Sequence, residues 1–385
     1  MLRYLTAGES HGPELTAIVD GVPSQFPIDQ DGLNHQLYRR QQGYGRGYRM
    51  KIESDQATIT SGVRFGKTLG TPITLHITNR DWKNWQEKMA VFGEPPENLA
   101  EVTKPRPGHA DLAGALKYDH KDIRNVLERS SARNTATLVA CGAVARQILE
   151  QFGIRVFGHV VRIGSVVADI PDMPFVTFME RAEASEVRCV DPTAEQAMIA
   201  QIEQAKNDGD TLGGTFEIIA TGLPIGLGSY AQPDQRLDGR LAGALMGFQA
   251  IKGVEIGMGF EVAERPGSQV HDEIFYQEGM YQRRTNGAGG IEGGISNGQP
   301  IVIRAAMKPI PTLYKPLQSV DMNTKEPYLA SIERSDTCAV PAAAVVGEAV
   351  VCWTLAQAFL EKFAGDSFGE VKRNYDSYMA YLQSR

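Results

Sequence analysis

Apolar and polar residues alternate in short stretches of the chain, which predicts strands separated by helices of unequal length. Ile73, Leu75 and Ile77 alternate with Thr74 and His76, which is the two-residue period of a strand with one buried face. The same kind of pattern predicts further strands at residues 15–19, 156–167, 214–222 and 301–305.

Apolar residues spaced by three and four positions predict helices. The clearest covers residues 134–152, where Gly142, Ala143 and Ala145 form a face of small residues that permits close packing. Ser335 and Asp336 precede an apolar run and are candidate N-terminal caps of a buried helix at 340–360. Other predicted helices cover residues 28–37, 194–207 on the surface, 240–250 in the interior and 368–383 near the C-terminus.

Residues 81–103 interrupt this pattern with a polar stretch that contains Trp82, Trp85 and two adjacent prolines. Such a stretch predicts a long loop or a lid. Strands and helices follow one another without the regular strand–helix–strand order of a parallel sheet, and no clean linker divides the chain. The sequence therefore predicts one large α/β or α+β domain.

Charge and cysteine content narrow the class of protein. The 385 residues include 39 Lys and Arg against 46 Asp and Glu, so the formal net charge is −7. Proteins that bind nucleic acid or anionic membranes are usually basic, which disfavours both partners. The four cysteines are too far apart in sequence for zinc-type pairs and favour a reducing cytoplasm. The first residues lack the apolar stretch of a signal peptide.

Three segments resemble well-known signals but lack the context that those signals need. Residues 62–68 resemble a phosphate-binding P-loop, but three rather than four residues separate the glycines, and Pro72 follows instead of a helix. Residues 43–47 begin like a dinucleotide fingerprint but follow a predicted helix. The apolar run 340–360 contains Pro341 and Glu348, which favours a buried helix over a membrane span.

Two G-x-S-x-G segments leave a serine hydrolase as an alternative class. They centre on Ser10 and Ser296. A nucleophile elbow needs a strand before the serine and a helix after it, within a sheet of several strands. Ser10 has room for one preceding strand, and Ser296 is followed by a strand-like segment. Both contexts disfavour the hydrolase.

Five positive charges without an intervening acid form the most basic stretch of this acidic chain. They are Arg39, Arg40, Arg46, Arg49 and Lys51, set among three glycines. Guanidinium groups match phosphate and carboxylate oxygens with paired hydrogen bonds, which predicts an anion site. A solvated basic loop is the alternative.

A second arginine pair precedes the helix with the small-residue face. Arg129 and Arg133 would share a helix face if that helix begins early enough, and two like charges so placed favour an anion between them. Ser130 and Ser131, with the N–H groups that follow, suit a phosphate at a helix N-terminus.

One histidine lies in a loop that its neighbours make rigid. His109 follows Pro105, Pro107 and Gly108, which restrict its direction. A histidine held beside arginines suits a general acid toward a phosphate leaving group, and a structural histidine is the alternative. Six glycines within residues 287–298 predict either backbone that lies against a flat ligand or a plain turn.

Seven segments, taken in order, resemble the motif set of the chorismate synthase family. Each motif alone is weak, but seven in the family's order are specific, and the resemblance covers residues 2–355. The segments are Gly8–Pro13, Gly45–Gly47, Arg106–Asp111, Glu128–Arg133, Gly253–Gly257, Gly293–Ser296 and Arg334–Asp336.

The resemblance implies a lyase of the shikimate pathway. Members convert 5-enolpyruvylshikimate-3-phosphate to chorismate and phosphate by a 1,4-anti elimination, and they need reduced FMN although the overall reaction is redox-neutral. FAD and NADP are further nucleotides associated with the family. The implied fold is α+β, a β-α-β sandwich in which antiparallel sheets enclose helices. It forms a single large domain over residues 1–385, with a variable tail at 365–385.

The resemblance also implies roles for individual residues. His109 would donate a proton to the departing phosphate, His11 would stabilise or protonate the reduced flavin near N1, and Asp336 would relay the proton lost from the substrate near flavin N5. The implied substrate-binding residues are Arg40, Arg46, Arg49, Arg133 and Arg334. The implied flavin contacts are Arg129, Ser130, Ser131, Gln249, Ala250, Gly293, Lys308, Pro309, Ile310, Pro311, Thr312 and Arg334.

Partners and compartment follow from the same resemblance, which implies a cytoplasmic homotetramer. Some members reduce FMN with NADPH, for which Arg40 and Arg46 are the matching positions. No separate reductase domain is evident, so an external flavin reductase is expected. A non-catalytic FMN- or anion-binding relative is the alternative of a different class. Gln249 stands where some relatives carry Asn, and Asn134 stands where many carry Glu; neither change affects an expected catalytic role.

Overall fold

Two antiparallel sheets enclose a pair of long helices in the computed structural model, which describes residues 1–47, 53–277, 279–330 and 335–385. The strands of these residues are β1 Arg3–Ala7, β2 Glu14–Asp20, β3 Ala57–Ile59, β4 Val63–Arg64, β5 Lys67–Thr68, β6 Ile73–Thr78, β7 Arg155–Ile163, β8 Val166–Val167, β9 Gly214–Thr221, β10 Ile251–Ile256, β11 Ile274–Gln277, β12 Met280–Arg283, β13 Ile291–Glu292, β14 Ile295–Ser296, β15 Ile301–Met307, β16 Gln318–Val320 and β17 Pro327–Leu329. The α-helices are α1 Gln30–Gln41, α2 Asp111–Tyr118, α3 Arg124–Ser130, α4 Thr135–Glu150, α5 Phe175–Ala184, α6 Pro192–Asn207, α7 Leu237–Met246, α8 Val340–Lys362 and α9 Phe368–Gln383.

The alternating pattern of the strands places one apolar face of each sheet toward the helices. The first sheet has the order β1-β2-β6-β3 and the second the order β10-β15-β9-β7-β8. Leu15 of β2 lies opposite Ile77 of β6, and Ile218 of β9 lies opposite Ile303 of β15. All four side chains are buried. Register is therefore fixed by burial in both sheets.

The two long helices α4 and α8 pack against each other between the sheets. Helix α4 contacts β2 and β6, whereas α8 contacts β7 and β9. A Cβ atom at Gly142 would lie 2.4 Å from the Cβ atom of Ala349, so the missing side chain lets the two backbones approach closely. This confirms the predicted face of small residues and the predicted sandwich of antiparallel sheets around helices.

Most predicted elements are present, with shifted ends. Strands β2, β6, β9 and β15 and helices α1, α4, α6, α8 and α9 correspond to predicted segments. The single strand expected at 156–167 is instead two strands, β7 and β8, because the chain turns at Gly164 with φ of 56°. The helix expected at 240–250 is α7, which begins earlier and buries one face only.

The expected capping of α8 by Ser335 or Asp336 is wrong. Ala339 is the N-cap and makes no side-chain capping bond. The Asp336 carboxylate instead accepts a hydrogen bond from the backbone N–H of Gly47 at 2.6 Å. Helices α2, α3 and α5, each of 7 to 10 residues, have no counterpart among the predicted elements because their apolar pattern is too short to recognise.

Three expectations about individual segments are confirmed. Residues 62–68 form the β4–β5 hairpin and not a loop that leads into a helix. After a 3₁₀ helix at Arg80–Asn84, residues 85–103 have irregular backbone, as a long loop predicts. Helix α8 is long and apolar enough to cross a membrane, but 89% of its apolar window is buried inside the protein.

One buried carboxylate joins α8 to its surroundings. Glu348 is fully buried and accepts hydrogen bonds from Arg39 at 2.7 and 2.9 Å, Arg146 at 2.5 Å and Arg188 at 3.2 Å. It also accepts the backbone N–H of Gly158 at 2.9 Å. Burial alone would raise the pKa of Glu348, but the three arginines hold it below its usual value.

Replacing this carboxylate should destabilise the fold strongly. In Glu348→Gln three guanidinium groups lose their shared negative charge, and we expect the free energy of unfolding to fall by about 3–5 kcal/mol. Urea denaturation followed by circular dichroism measures this change. The matched control is Glu361→Gln, because Glu361 pairs with Arg240 at the surface, where a loss below about 1 kcal/mol is expected. Equal losses in the two variants would contradict a central role for Glu348.

Candidate active site

His11 lies in the turn between β1 and β2. Gly8 has φ of 109°, and a Cβ atom there would lie 2.5 Å from the carbonyl oxygen of Glu14, so the turn requires glycine. Asn79 closes the turn by donating through Nδ2 to the carbonyls of Glu9 at 3.0 Å and Gly12 at 2.8 Å. The turn is therefore fixed against the end of β6.

The side chain of His11 is held between a carboxylate and an indole ring. Glu128 Oε1 lies 2.9 Å from Nδ1, and Glu128 Oε2 accepts the backbone N–H of His11 at 2.7 Å. The ring centroid of Trp85 lies 4.0 Å from that of the imidazole. Burial alone would raise the pKa of Glu128, but its hydrogen bonds with His11, aided by Arg124, hold it below its usual value.

A buried cluster of charges adjoins this turn. Arg133 Nη1 donates to Asp55 Oδ1 at 2.5 Å, and Arg133 Nε donates to Asn79 Oδ1 at 2.9 Å. Arg40 Nη1 lies 3.5 Å from Asp55 Oδ2, and Arg40 Nε donates to Thr135 Oγ1. Because Asn79 contacts both Arg133 and the turn around His11, the cluster and the turn form one unit.

Part of the hydrogen-bonding capacity of this cluster is unused. Nη1 of Arg40 and Nη2 of Arg133 are buried, and among the described residues they have no hydrogen-bond partner. Burial lowers the pKa of Arg40 to about 10; Asp55 opposes the shift, whereas repulsion from Arg133 and Arg46 adds to it. Arg40 Nη1 lies 3.5 Å from Asp55 Oδ2 and Arg133 Nη2 lies 3.8 Å from Glu53 Oε2, and neither pair forms a hydrogen bond, so a bound anion would offer these N–H groups closer acceptors. The geometry thus supports the anion site predicted at Arg40 and Arg133.

The expected pairing of Arg129 and Arg133 on one helix face is wrong. Helix α3 ends at Ser130, and Ser131 has φ of −59° and ψ of 140°. The helical backbone is therefore interrupted between the two arginines. Arg129 donates instead to Thr6 of β1 through Nη2. The Ser130 hydroxyl donates to a carbonyl of its own helix, and the Ser131 hydroxyl accepts the N–H of Arg133.

His109 is also paired with a buried carboxylate. Its Nδ1 is hydrogen-bonded to Asp111 Oδ1, and Arg106 Nε donates to Asp111 Oδ2 at 2.9 Å. Burial alone would raise the pKa of Asp111, but the bonds with His109 and Arg106 lower it to about 2. Each of the two histidines predicted to be catalytic therefore has an ionised acceptor at Nδ1.

The loop of His109 contacts the segment 308–312, which the resemblance assigns to the flavin. Arg106 Nη1 donates to Thr312 Oγ1 at 2.8 Å. Lys308 Nζ donates to the carbonyl of Gly108. The structure thus brings together two predicted segments that are about 200 positions apart in sequence.

The same segment continues to Gln249 and Ala250. The backbone N–H of Lys308 donates to the carbonyl of Ala250 at 3.0 Å. Gln249 Nε2 reaches the carbonyl of Ser131 at 3.4 Å. Successive contacts therefore lead from the His109 loop to the segment that holds Arg133.

Several features here suit a flat ligand that carries negative charge. Gln249 Oε1 is buried without a hydrogen-bond partner among the described residues. Gly293 has φ of 57° and open space where a Cβ atom would lie, and Ala250 has φ of 73°. Burial and the neighbouring Lys252 lower the pKa of Lys308, so a negative ligand group would stabilise its charged form.

Asp336 holds the glycine-rich loop of the basic stretch. Its Oδ2 lies 3.1 Å from Arg46 Nη1, and its Oδ1 accepts the N–H of Gly47. Cavities of about 820 and 840 Å³ are both lined by residues 44–47, and Asp55 lines the first. Among the described residues that line them, neither His11 nor His109 is present. The predicted site residues Arg49 and Arg334, and Lys51 of the basic stretch, lie outside the described residues.

The two serines of the G-x-S-x-G segments do not lie in nucleophile elbows. Ser296 is buried in β14, where its hydroxyl donates to the carbonyl of Pro224 and accepts the N–H of Leu227. Ser10 is buried between β1 and β2, with no helix directly after it. The hydrolase alternative gains no support. Within the described ranges, no group of three or more His, Cys, Asp or Glu side chains is arranged to hold a metal ion.

Sequence reasoning assigned no role to five residues that shape this site. They are Asp55, Asn79, Trp85, Asp111 and Glu128. Asp111 and Glu128 lie inside two of the recognised motifs, so their proximity to a histidine and to arginines was a usable signal. Asp55, Asn79 and Trp85 carry no comparable signal, because their partners are more than 50 residues away in sequence.

Comparison with known proteins gives a consistent result. A family model described as chorismate synthase matches residues 2–360. The chain is 60% identical over 393 aligned residues to a chorismate synthase of Geobacter sulfurreducens, with all of both chains covered. It is 58% identical over 386 residues to one of Desulforamulus reducens, also with full coverage of both. A crystal structure of a chorismate synthase is similar with a TM-score of 0.81 and 44% identity, over 100% of this chain and 99% of the other.

An added anion should stabilise the folded protein through Arg40. Inorganic phosphate at tenfold its dissociation constant adds about 1.4 kcal/mol to the free energy of unfolding, which thermal unfolding detects as a higher midpoint. In Arg40→Met the side chain fills similar space without N–H donors, so this increase should shrink. Arg64→Met, on the exposed β4–β5 hairpin, should keep the full increase. A wild-type response in Arg40→Met would contradict the anion site.

Proposed function

The chain belongs to the chorismate synthase family, and we propose that it acts with reduced FMN bound against residues 249–250, 293 and 308–312. It is an enzyme, a carbon–oxygen lyase, that converts 5-enolpyruvylshikimate-3-phosphate to chorismate and phosphate by a 1,4-anti elimination. The reaction is the last step of the shikimate pathway and leads to the aromatic amino acids.

The observation that carries the proposed site is the buried cluster of Arg40, Arg133 and Asp55. The substrate carries one phosphate and two carboxylates, and each needs donors in fixed positions. Arg40 and Arg133 have buried N–H groups without hydrogen-bond partners in the described part of the chain, so they are available to these oxygens. We assign them, with Arg46, to the substrate. Arg49 and Arg334 keep the same assignment from the resemblance alone.

The residues expected to bind the flavin fit such a ligand. Gln249 Oε1 offers a buried acceptor to a ring N–H, and the space at Gly293 leaves backbone accessible to a flat ring. Lys308, beside Lys252, suits the FMN phosphate. When bound and reduced, FMN supplies an electron-rich ring that can donate an electron to the reacting allylic system and recover it.

The contacts of the two histidines favour exchanging the roles implied by the resemblance. The turn of His11 is fixed through Asn79 to Arg133, which we assign to the substrate. The loop of His109 contacts Lys308 and Thr312, which we assign to the flavin. We therefore propose that His11 donates a proton to the departing phosphate, and that His109 holds a proton against the flavin.

Asp336 remains assigned to the proton that the substrate loses. Its carboxylate accepts one hydrogen bond from Gly47 and pairs with Arg46. A carboxylate has about four lone-pair positions, so these two contacts leave capacity for a further proton or hydrogen bond. Its contacts with the loop of Arg46 support placing this step beside the bound substrate.

We assign the supply of reduced flavin to an external reductase. The sequence holds no nucleotide fingerprint preceded by a strand, which disfavours a dedicated site for NADPH. We also propose a homotetramer in the cytoplasm. Exposed apolar side chains on the edge strand β1, such as Leu5 at 72% exposure, support contacts with other copies, and four buried thiols suit a reducing compartment.

Phosphate release from 5-enolpyruvylshikimate-3-phosphate tests the reaction and the cofactor together. Under anaerobic conditions we expect release with photoreduced FMN and none with oxidised FMN or without flavin. Adding NADPH to oxidised FMN should give no release without a separate reductase. Release with NADPH would show an intrinsic reductase. Absence of release in every arm, with FMN binding shown separately, would favour a non-catalytic relative, and release without flavin would favour a hydrolase.

A second measurement decides between the two assignments of the histidines. In His11→Ala we expect phosphate release to fall by about 10²–10⁴-fold, while the absorbance spectrum of bound reduced FMN keeps its wild-type protonation state. In His109→Ala we expect that spectrum to change. The opposite pattern, with the spectrum altered in His11→Ala and intact in His109→Ala, would restore the roles implied by the resemblance.

A further inference from the structure

The pairing of His11 with Glu128 involves one of the two ring nitrogens of the imidazole, Nδ1. We propose that Glu128 is a positioning residue that keeps the proton of His11 on Nδ1, so that Nε2 is the nitrogen that exchanges protons in the site. This inference rests on the proposed catalytic role of His11. It adds to that role a specific protonation pattern and the residue that imposes it.

Glu128 contacts His11 at two points. Oε2 accepts the backbone N–H of His11 at 2.7 Å, and Oε1 lies 2.9 Å from Nδ1. The backbone carbonyl of Glu128 also accepts the N–H of Ser10 at 3.1 Å. Three bonds from one residue of α3 therefore fix both the position of the turn and the direction of the imidazole.

The surroundings keep this carboxylate ionised and in place. The side chain of Glu128 is 2% exposed, and Arg124 lies 3.6 Å from its Oε1 one helical turn earlier. On the other side of the imidazole lies Trp85, whose Nε1 donates to Asp81 and whose ring lies 5.2 Å from the Arg124 guanidinium. Charged groups near His11 thus include Glu128 and Arg124 on α3 and Asp81 beyond the indole.

An ionised carboxylate can only accept hydrogen bonds, so Nδ1 must donate to it. The partner of one ring nitrogen decides which nitrogen carries the proton in a neutral histidine. With Nδ1–H bound to Glu128, Nε2 is left to bind or release a proton. The imidazolium form fits equally well, because it carries N–H at both nitrogens.

The variant Glu128→Gln separates the effect of the carboxylate on the protonation of His11 from the effect of side-chain size. The backbone N–H of His11 still needs an acceptor, so the amide oxygen of glutamine must face it. The amide NH₂ then faces Nδ1, which has to accept a hydrogen bond and gives up its proton to Nε2. The variant therefore keeps size and burial but reverses the protonation pattern of the imidazole.

The experiment combines ¹⁵N NMR of the histidine rings with turnover in the intact enzyme. In the wild type we expect neutral His11 with its proton on Nδ1, and in Glu128→Gln with its proton on Nε2. The kcat for phosphate release should fall by about 10²–10⁴-fold, with the KM for substrate changed less than about threefold. Fluorescence and circular dichroism of the variant should match those of the wild type.

Two variants serve as matched controls. Asp111→Asn should alter the ring signals of His109 and leave those of His11 unchanged, because Asp111 contacts the other histidine. Glu14→Gln removes a carboxylate that lies 2.7 Å from His76 Nδ1 on the first sheet. It should alter the signals of His76 and leave kcat unchanged.

Each contrary result has a definite meaning. Neutral wild-type His11 with its proton on Nε2 overturns the proposal, even if no variant folds. A reversed pattern in Glu128→Gln with wild-type kcat overturns the positioning role. Wild-type kcat in His11→Ala overturns the proposed catalytic role of His11 itself, whatever the NMR signals of Glu128→Gln show.

Discussion

The rest of the structure depends on the burial of one negative charge in the middle of α8. This helix is apolar over most of its length, as its place between two sheets requires, and Glu348 is the charged residue among its buried positions. The carboxylate receives hydrogen bonds from α1, from α4, from the backbone of β7 and from Arg188. Removing it would leave buried positive charge uncompensated, so these elements are held in one arrangement.

The arginines proposed to bind the substrate depend on that arrangement through α1. Arg39 turns into the core toward Glu348, whereas Arg40, the next residue, points toward Thr135 and Asp55. Consecutive residues of a helix differ by about 100° in direction, so fixing the first also fixes the second. The proposed anion site therefore gains its geometry from an ion pair deep in the core, and the glycine-rich loop that follows α1 begins from a fixed point.

A buried carboxylate also orients the arginines and histidines that we propose to act on the ligands. Asp55 holds Arg133, Glu128 holds His11, and Asp111 holds Arg106 and His109. Each acid is buried, and each fixes the direction of a cationic or imidazole partner. A chain with a net charge of −7 can thereby bind anions, because its positive groups are concentrated and oriented while most of its negative charge lies elsewhere. These side chains are already oriented in the folded state, so ligand binding requires little rearrangement of them.

Sequence patterns predict the strands and helices that depend on local periodicity, and they miss the contacts between residues that are distant in sequence. The alternation around Ile73 and the small residues around Gly142 specify β6 and the α4–α8 contact, because burial acts on every residue of the pattern. Asp336 was misread as a cap, since its partner Gly47 is 289 positions away. The interruption of the helix at Ser131 separates Arg129 from Arg133, and the spacing of the two arginines in sequence does not reveal it. The motifs located both histidines, but only the fold shows which groups each histidine contacts, and those contacts favour His11 beside the substrate cluster and His109 beside the flavin segment. An elimination needs one group to receive a proton and another to stabilise the departing phosphate. In the proposed assignment Asp336 receives the proton and His11 stabilises the phosphate. The two residues lie on separate segments of the chain, so one proton transfer does not compete with the other.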